Sequence, residues 1–465
     1  MLLSWRRLLA QDATLPGWLL PFLASLPTLL VYSLTLAPDL TWAYDSADGA
    51  ELITAASTLG IPHPPGYPTF VLLGHAVSRI AVGPLPLRFN LFSALAMAAA
   101  VAMVAIAAWW IQGSGARNRA AGAAAAALTL GFLTPVWQQA IVTEVYALNL
   151  AVVALLILAL LRQWPVPATG FLFGLSLTTH LTSLLLAPLS FGLTPRDQWP
   201  RLGAATVLGL APLLILPILA GSGSPVVWGE PQHLGGWWWL VSGQLYRPNL
   251  LSIPAADAIA RLWDWLWAAQ IFIPATALLL GIPVLRRSES LRSSRAAALL
   301  RVTSALYLFA SITYGTEDAL VLLLPGLACS ILLLAPVLAR AGLASLLLPA
   351  ALLLLNFNRL DLSADRLARS LGEPLLSAAP QDAILLTEGD ATTFTLWYLH
   401  EVEGQRPDIV VIDRNLFGFE WYRRRLAARQ SWLPEIATYD LDALALPGRP
   451  LCSVRLDRGK AEINC

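Results

Sequence analysis

Up to about residue 358 the chain is a series of apolar runs, separated by short loops in which arginines collect. A helix needs roughly 20 apolar residues to cross a bilayer, and backbone in lipid must satisfy its own hydrogen bonds, so runs of this kind fold as membrane helices. The composition agrees: 57% of residues are hydrophobic and 13% charged, with a mean hydropathy of +0.64, which excludes an ordinary soluble globule. A net charge of +1 and a single lysine, Lys460, provide no field for nucleic acid.

Arginine accumulates on the cytoplasmic side of a membrane, and this orients the runs. Arg6 and Arg7 place the N-terminus inside. The first run, about 16–37, is longer than a signal-peptide core and reads as an uncleaved span. It delivers Asp45, Asp48 and Glu51 to the outside. Gly66–Val82 is short and reads as a re-entrant or surface segment, after which Leu91–Ile111 runs inward to Arg117 and Arg119. Ala120–Val136 returns, and Leu150–Leu161 goes in to Arg162. The short pieces 168–178 and 181–193 read as a hairpin of broken helices around His180. Leu202–Ala220 goes out, and Leu262–Val284 comes in to a basic loop with Arg286, Arg287, Arg292, Arg295 and Arg301. Three further runs end at Phe357, for about eleven spans in all.

From Asp361 the composition turns soluble. Ala383–Leu386, Ile409–Ile412 and Leu451–Val454 read as strands, with a helical run at Thr393–Val402. The expectation is therefore an all-α polytopic membrane domain over 1–358 and a small α/β soluble domain over 359–465 on the external face. Cys452 and Cys465 could pair if the tail faces an oxidising compartment; Cys329 sits in an apolar run, as a packing residue would.

The polar residues assigned to the outside are the candidates for chemistry. Asp48 and Glu51 lie three apart in a breaker-poor stretch, so a short helix over Ala47–Leu59 would present both on one face. Asp45 precedes them, and His63 and Tyr67 follow in the proline-rich HPPGYP turn. Glu144, Tyr146, His180, Glu230 and His233 fall on the same side, as do Arg79 and Arg88, the cations available for a lipid phosphate. No zinc-ligand spacing, GxSxG motif or glycine-rich phosphate loop is present. A carboxylate base beside an arginine suits attack by a hydroxyl on a sugar carbon with a phosphate leaving. Plainer readings stand beside these: His63 as a turn cap, His180 as an interhelical hydrogen-bond partner, the tryptophans of the 221–261 loop as an interfacial belt, and Asp390 as an N-cap.

The segments DGAELITAASTLGIPHPPGYPTF, TEVYALN, GLSLTTHLT, WGEP and LLTEGDATTFTLWYLHEVEGQRPDIVVI resemble a bacterial family of polytopic membrane proteins related to the eukaryotic transmembrane O-mannosyltransferase that acts on plexin-type receptors. The resemblance spans nearly the whole chain. It implies a GT-C glycosyltransferase of the bacterial inner membrane that takes a sugar, such as mannose, from a polyprenyl-phosphate donor. The acceptor it implies is a hydroxyl on a protein or glycolipid at the external face. It implies no nucleotide at the site, while the acids leave room for a divalent cation. On the family pattern Asp-Ser-Gly-Glu, the matching residues are Asp48, Gly49, Ala50 and Glu51, which gives Asp48 the role of base with Glu51 in support. Asp45 remains an alternative base, and Glu144 matches the family's second external acid. A transporter of lipid-linked sugars, with acids at mid-bilayer, and a non-catalytic envelope scaffold, with replaceable acids, are the rival readings.

Overall fold

The computed structural model describes residues 18–23, 25–112, 118–273, 294–434, 436–457 and 460–465. Arg6, Arg7, Arg117, Arg286, Arg287 and Arg292, and with them the 274–284 part of an expected span, lie outside the described residues. Among the described residues four helical stretches are long and apolar enough to cross a membrane: Leu85–Ile111, Arg196–Leu219, Arg295–Thr313 and Ala319–Leu360. A fifth is present if Arg119–Phe132 and Thr134–Ala140, bent by 68° across Leu133, form one broken span. The 42 residues of Ala319–Leu360 are about twice what one crossing needs. They are interrupted at Gly342, with φ 58° and ψ −135°, just after Arg340. Length alone does not carry the count to eleven.

The first helices are α1 (Leu26–Thr35), α2 (Asp48–Thr58), α3 (Pro68–Ser78) and α4 (Leu85–Ile111), followed by α5 (Arg119–Phe132), α6 (Tyr146–Leu161) and α7 (Val166–Thr179). The alanines of α5, including the fully buried Ala123, Ala125, Ala126 and Ala127, have little side chain to keep neighbours away, so the helix lies directly against α4. The expected hairpin of 168–178 and 181–193 does not form. His180 is extended, with φ −164° and ψ 136°, and turns the chain so that α7 lies along Trp199–Gly209 while Ala187–Leu193 packs on Ser294–Thr313. Further on, α8 spans Leu234–Val241.

The soluble tail contains α9 (Leu367–Ala378), β1 (Ile384–Thr387), α10 (Asp390–Trp397), β2 (Val410–Asp413), α11 (Glu420–Arg429), β3 (Leu451–Asp457) and β4 (Lys460–Asn464). The sheet order is β2-β1-β3-β4, with β1 parallel to β2 and β3, and β4 antiparallel to β3. The three strands read from sequence are present within one to three residues. The strand β4, KAEIN, lies on the exposed edge and lacks the apolar alternation that marks a strand. Cys452 and Cys465 form a disulfide.

The tail is seated on the segment between α1 and α2. Its helix α10 packs on α2, and the Trp42 indole N–H donates to Thr395 Oγ1 at 3.0 Å. The Arg369 guanidinium reaches Asp39 at 2.6 Å, Glu373 at 2.7 Å and Glu403 at 2.6 Å, and Thr41 donates to Asp365 at 2.5 Å. A planar guanidinium suits several carboxylates at once, and the Arg369 and Asp39 side chains are only 22% and 11% exposed. Arg369→Ala is therefore expected to cost about 1–3 kcal/mol and to lower the Tm of the purified chain. An unchanged Tm would mean that these pairs do not hold the tail.

Candidate functional site

Helix α2 places Asp48 and Glu51 on one face, as their spacing predicts. The loop that follows, residues 60–66, is buried, and Pro62, Pro64 and Pro65 have no N–H to leave unpaired there. It is zipped to the loop before α8 by a parallel bridge between Ile61 and Val227. The approach requires Gly60, since a Cβ there would fall 2.2 Å from the Val226 carbonyl oxygen. These two loops bring His63 and Trp228 over α2.

Glu51 is completely buried and its carboxylate accepts three hydrogen bonds. His63 donates from its backbone N–H at 3.1 Å and from Nδ1 at 2.5 Å, and the Trp228 indole N–H donates to the same carboxylate. The other ring nitrogen of His63, Nε2, lies 3.6 Å from Asp48 Oδ2. The imidazole thus stands between two carboxylates. Burial lowers its pKa, but Asp48 and Glu51 outweigh that and raise it to about 10, so His63 is an imidazolium at neutral pH. Asp48 is pushed up to about 6 by burial, with His63 pulling the other way. Unlike Glu51, Asp48 keeps a third of its side chain accessible, which leaves it the one able to meet a substrate.

Aromatic rings wall the site. Tyr67, Trp228 and Tyr246 meet His63 edge-on at 5.2, 6.2 and 6.3 Å. Tyr67 stacks on His180 at 6.1 Å, and Tyr146 lies 5.3 Å from the same ring. His180 also pairs through Nδ1 with Thr182 Oγ1 at 2.7 Å, and the Tyr146 hydroxyl donates to Asp318 at 3.4 Å. The loop carrying Glu144 is drawn against α2 at Gly49, where a Cβ would sit 2.8 Å from the Thr143 carbonyl oxygen. Glu144 is buried and its Oε1 has no partner among the described residues. Burial, and then the charge of Asp48, push its pKa well above the carboxylate range.

The tail contributes Asp390, whose pKa is raised to about 6 by its packed surroundings and then by Asp48, although the side chain still reaches solvent. It is the first residue of α10 and not its cap, which is Gly389. Asp318, Asp390, Trp228 and Tyr246 are the site residues that sequence reasoning missed. For Trp228 the signal was its place in the WGEP segment; for the others nothing local distinguished them.

Several expected residues lie elsewhere. Asp45 is exposed in the turn Ala43–Asp45. Arg88 spends its guanidinium on the carbonyls of Ser78, Val82 and Gly83, closing the turn before α4. Arg79 faces His75 Nε2 at 3.4 Å. Glu230 pairs with Arg424 of the tail at 2.8 Å, and His233 borders a separate groove ahead of α8. An expected common side of the membrane does not amount to a common pocket for these residues. Among the described residues there is no group of three or more His, Cys, Asp or Glu side chains disposed to hold a metal ion.

Known proteins share this sequence and fold. Residues 48–199 match the N-terminal domain of the protein O-mannosyl-transferase TMEM260, and residues 368–433 match the TMEM260-associated domain 2. Protein O-mannosyl-transferase TMEM260 of Mus musculus is 28% identical over 451 residues, covering 85% of this chain and 63% of the relative. The Dictyostelium discoideum protein of that name is 23% identical, covering 85% of this chain and 57% of its own length. The chain thus spans about three fifths of the length of these relatives. The crystal structure of ArnT from Cupriavidus metallidurans bound to undecaprenyl phosphate superposes with a TM-score of 0.53 over 88% of this chain and 92% of that one, at 14% identity, which is a likeness of fold. With both domain matches in order along one chain, the protein is similar in sequence to the TMEM260 O-mannosyl-transferases over 85% of its length and similar in fold to ArnT.

Proposed function

We propose that the protein is a membrane glycosyltransferase that moves a sugar, mannose in the simplest case, from a polyprenyl-phosphate carrier to a hydroxyl on a protein or glycolipid at the external face of a bacterial inner membrane. In this reading residues 359–465 form an external domain over the site, and the shorter apolar helices complete about eleven crossings. The observation that carries the reaction is the Asp48–His63–Glu51 array, in which one accessible carboxylate is oriented by an imidazolium that a buried carboxylate holds in place. The acceptor oxygen attacks the anomeric carbon as the bond to the phosphate oxygen breaks, Asp48 takes the hydroxyl proton, and the polyprenyl phosphate leaves with the bonding pair. A base whose pKa is about 6 is ionised at neutral pH and still basic enough to accept that proton.

The similar proteins support the donor and acceptor classes, since ArnT was crystallised with undecaprenyl phosphate and TMEM260 is a protein O-mannosyl-transferase. Arg79 and Arg88 are engaged elsewhere, so the phosphate role passes to Arg247. It follows Tyr246 in the 244–249 turn, donates to Ser242 Oγ at 3.2 Å, and has an exposed guanidinium. Asp390 takes the acceptor side, because it lies on the tail within reach of the charge of Asp48.

Transfer from radiolabelled polyprenyl-phosphate mannose in membranes tests these roles. Asp48→Asn is expected to lower kcat by about 10²–10⁴-fold, and Asp45→Asn to leave it near wild type; transfer that survives in Asp48→Asn removes Asp48 as the base. Arg247→Gln is expected to raise KM for the donor more than it lowers kcat, and Asp390→Asn to lower kcat/KM for the acceptor, whereas equal effects on both substrates would point to misfolding.

The pH profile provides a separate check. Protonation of Asp48 removes the base, so kcat/KM is expected to fall as the pH drops through about 6 and to be retained above it. A profile that stays flat from pH 7 to pH 5 would rule Asp48 out.

A further inference from the structure

The Arg196–Leu219 stretch runs into a groove of about 570 Å³, bounded by the 220–233 loop on one side and by α11 on the other. The groove is separate from the Asp48 site. Trp228 donates to Glu51 on one side and packs at 6.0 Å on Trp421 on the other, and it is Trp421 that walls the groove. The helix EWYRRRLAAR sorts its arginines by task. Arg423 is buried and donates to the carbonyls of Phe417, Gly418, Ile436 and Ala437, which is a folding role. Arg424 and Arg429 line the groove but are neutralised, by Glu230 at 2.8 Å and Glu401 at 3.1 Å. Arg425 lines it as well and makes no hydrogen bond or ion pair among the described residues. It is partly buried; burial and then Arg429 lower its pKa, while Glu230, whose carboxylate is bonded to Arg424, pulls the other way. A cation partly removed from water with no carboxylate bonded to it is costly, and an incoming anion relieves the cost.

The groove also adjoins exposed apolar surface. Its floor begins at Ala220 and Gly221, directly after Ile218, which is 73% exposed at the end of a bilayer-length helix. On its other flank, α8 starts after His233 with Leu234, 81% exposed. Exposed apolar side chains on either side of a cationic pocket, at the depth where a membrane helix ends, match the shape of an amphiphile. Its head would sit at the guanidinium, whose planar fork fits phosphate oxygens, and its tail along Ile218 and Leu234.

We propose that this groove binds the phosphate of an anionic membrane lipid, with Arg425 as the unshared cation and the ring of Trp421 as its wall. The site does not depend on the glycosyl-transfer reading, and its test reads binding alone. The full chain, purified in a non-ionic detergent, is titrated with dioctanoyl phosphatidylglycerol, dioctanoyl phosphatidylcholine and inorganic phosphate, with calorimetry and Tm as readouts. Phosphatidylglycerol is expected to bind saturably and raise Tm, and Arg425→Gln to weaken it about tenfold. Glu230→Gln releases Arg424 and is expected to tighten binding several-fold. Equal binding of phosphatidylcholine overturns the charge argument, and inorganic phosphate binding as tightly as the lipid overturns the lipid source. Wild-type affinity in Arg425→Gln overturns the site. Should that variant not fold, an affinity unchanged by Glu230→Gln does the same.

Discussion

A carboxylate with no exposed surface persists only when its oxygens are fully engaged, and Glu51 meets that condition with donors from two different loops. The remaining geometry follows from this contact. The bond to His63 fixes which way the imidazole faces and leaves its second nitrogen for Asp48. The bond to Trp228 requires the loop before α8 to lie against the proline turn, which the Ile61–Val227 bridge accomplishes. Trp228 then meets Trp421, and through it the tail. An apolar residue in place of Glu51 would leave the His63 imidazolium and the Trp228 indole N–H buried without their acceptor, at a cost of about 3–5 kcal/mol. It could not orient the ring, so the reason for burying an acid here is positional.

The tail belongs to the site as much as the membrane helices do. Its composition marks it as a soluble unit, yet α10 lies on α2, Arg369 is shared between Asp39 and two tail carboxylates, and Asp390 comes within the electrostatic reach of Asp48. Two further contacts, Trp42 with Thr395 and Glu230 with Arg424, hold it at separate points. Several modest polar contacts distributed over one face fix an orientation that no single exposed pair would hold.

How much of this was legible in the sequence depended on whether the signal was local. The helix carrying Asp48 and Glu51, the apolar run Leu85–Ile111 and the strands at Ile384–Thr387 and Val410–Asp413 are set by periodicity and length, and they appear where the residues place them. The resemblance brought His63, Glu144 and Tyr146 into view, and the structure gathers them. Arg88 failed because a membrane-side assignment locates a residue along one axis only; its guanidinium was taken by three carbonyls within ten residues. Asp390 was read as a cap because a strand-to-helix turn usually provides one, and its proximity to Asp48 across more than three hundred residues leaves no local trace. The bend across Leu133 was hidden for a similar reason, since Pro135 is well tolerated in the first turn of a new helix and the break is apparent only from the angle.

The acids of the site are not equivalent, and their environments explain why several can coexist. Glu144, buried and facing the charge of Asp48, is driven toward its neutral form. Asp48 keeps a third of its side chain accessible and has the His63 imidazolium beside it, so its pKa rises only to about 6 and the group is ionised at neutral pH. Environments that separate the pKa values of neighbouring carboxyls are how one site supplies both a base and a neutral hydrogen-bond donor. In the proposed reaction this division also orders the substrates. An anionic donor phosphate is repelled by ionised Asp48 and Asp390, and so belongs on the Tyr246–Arg247 side. The uncharged acceptor hydroxyl is the one partner that can approach Asp48 without that penalty.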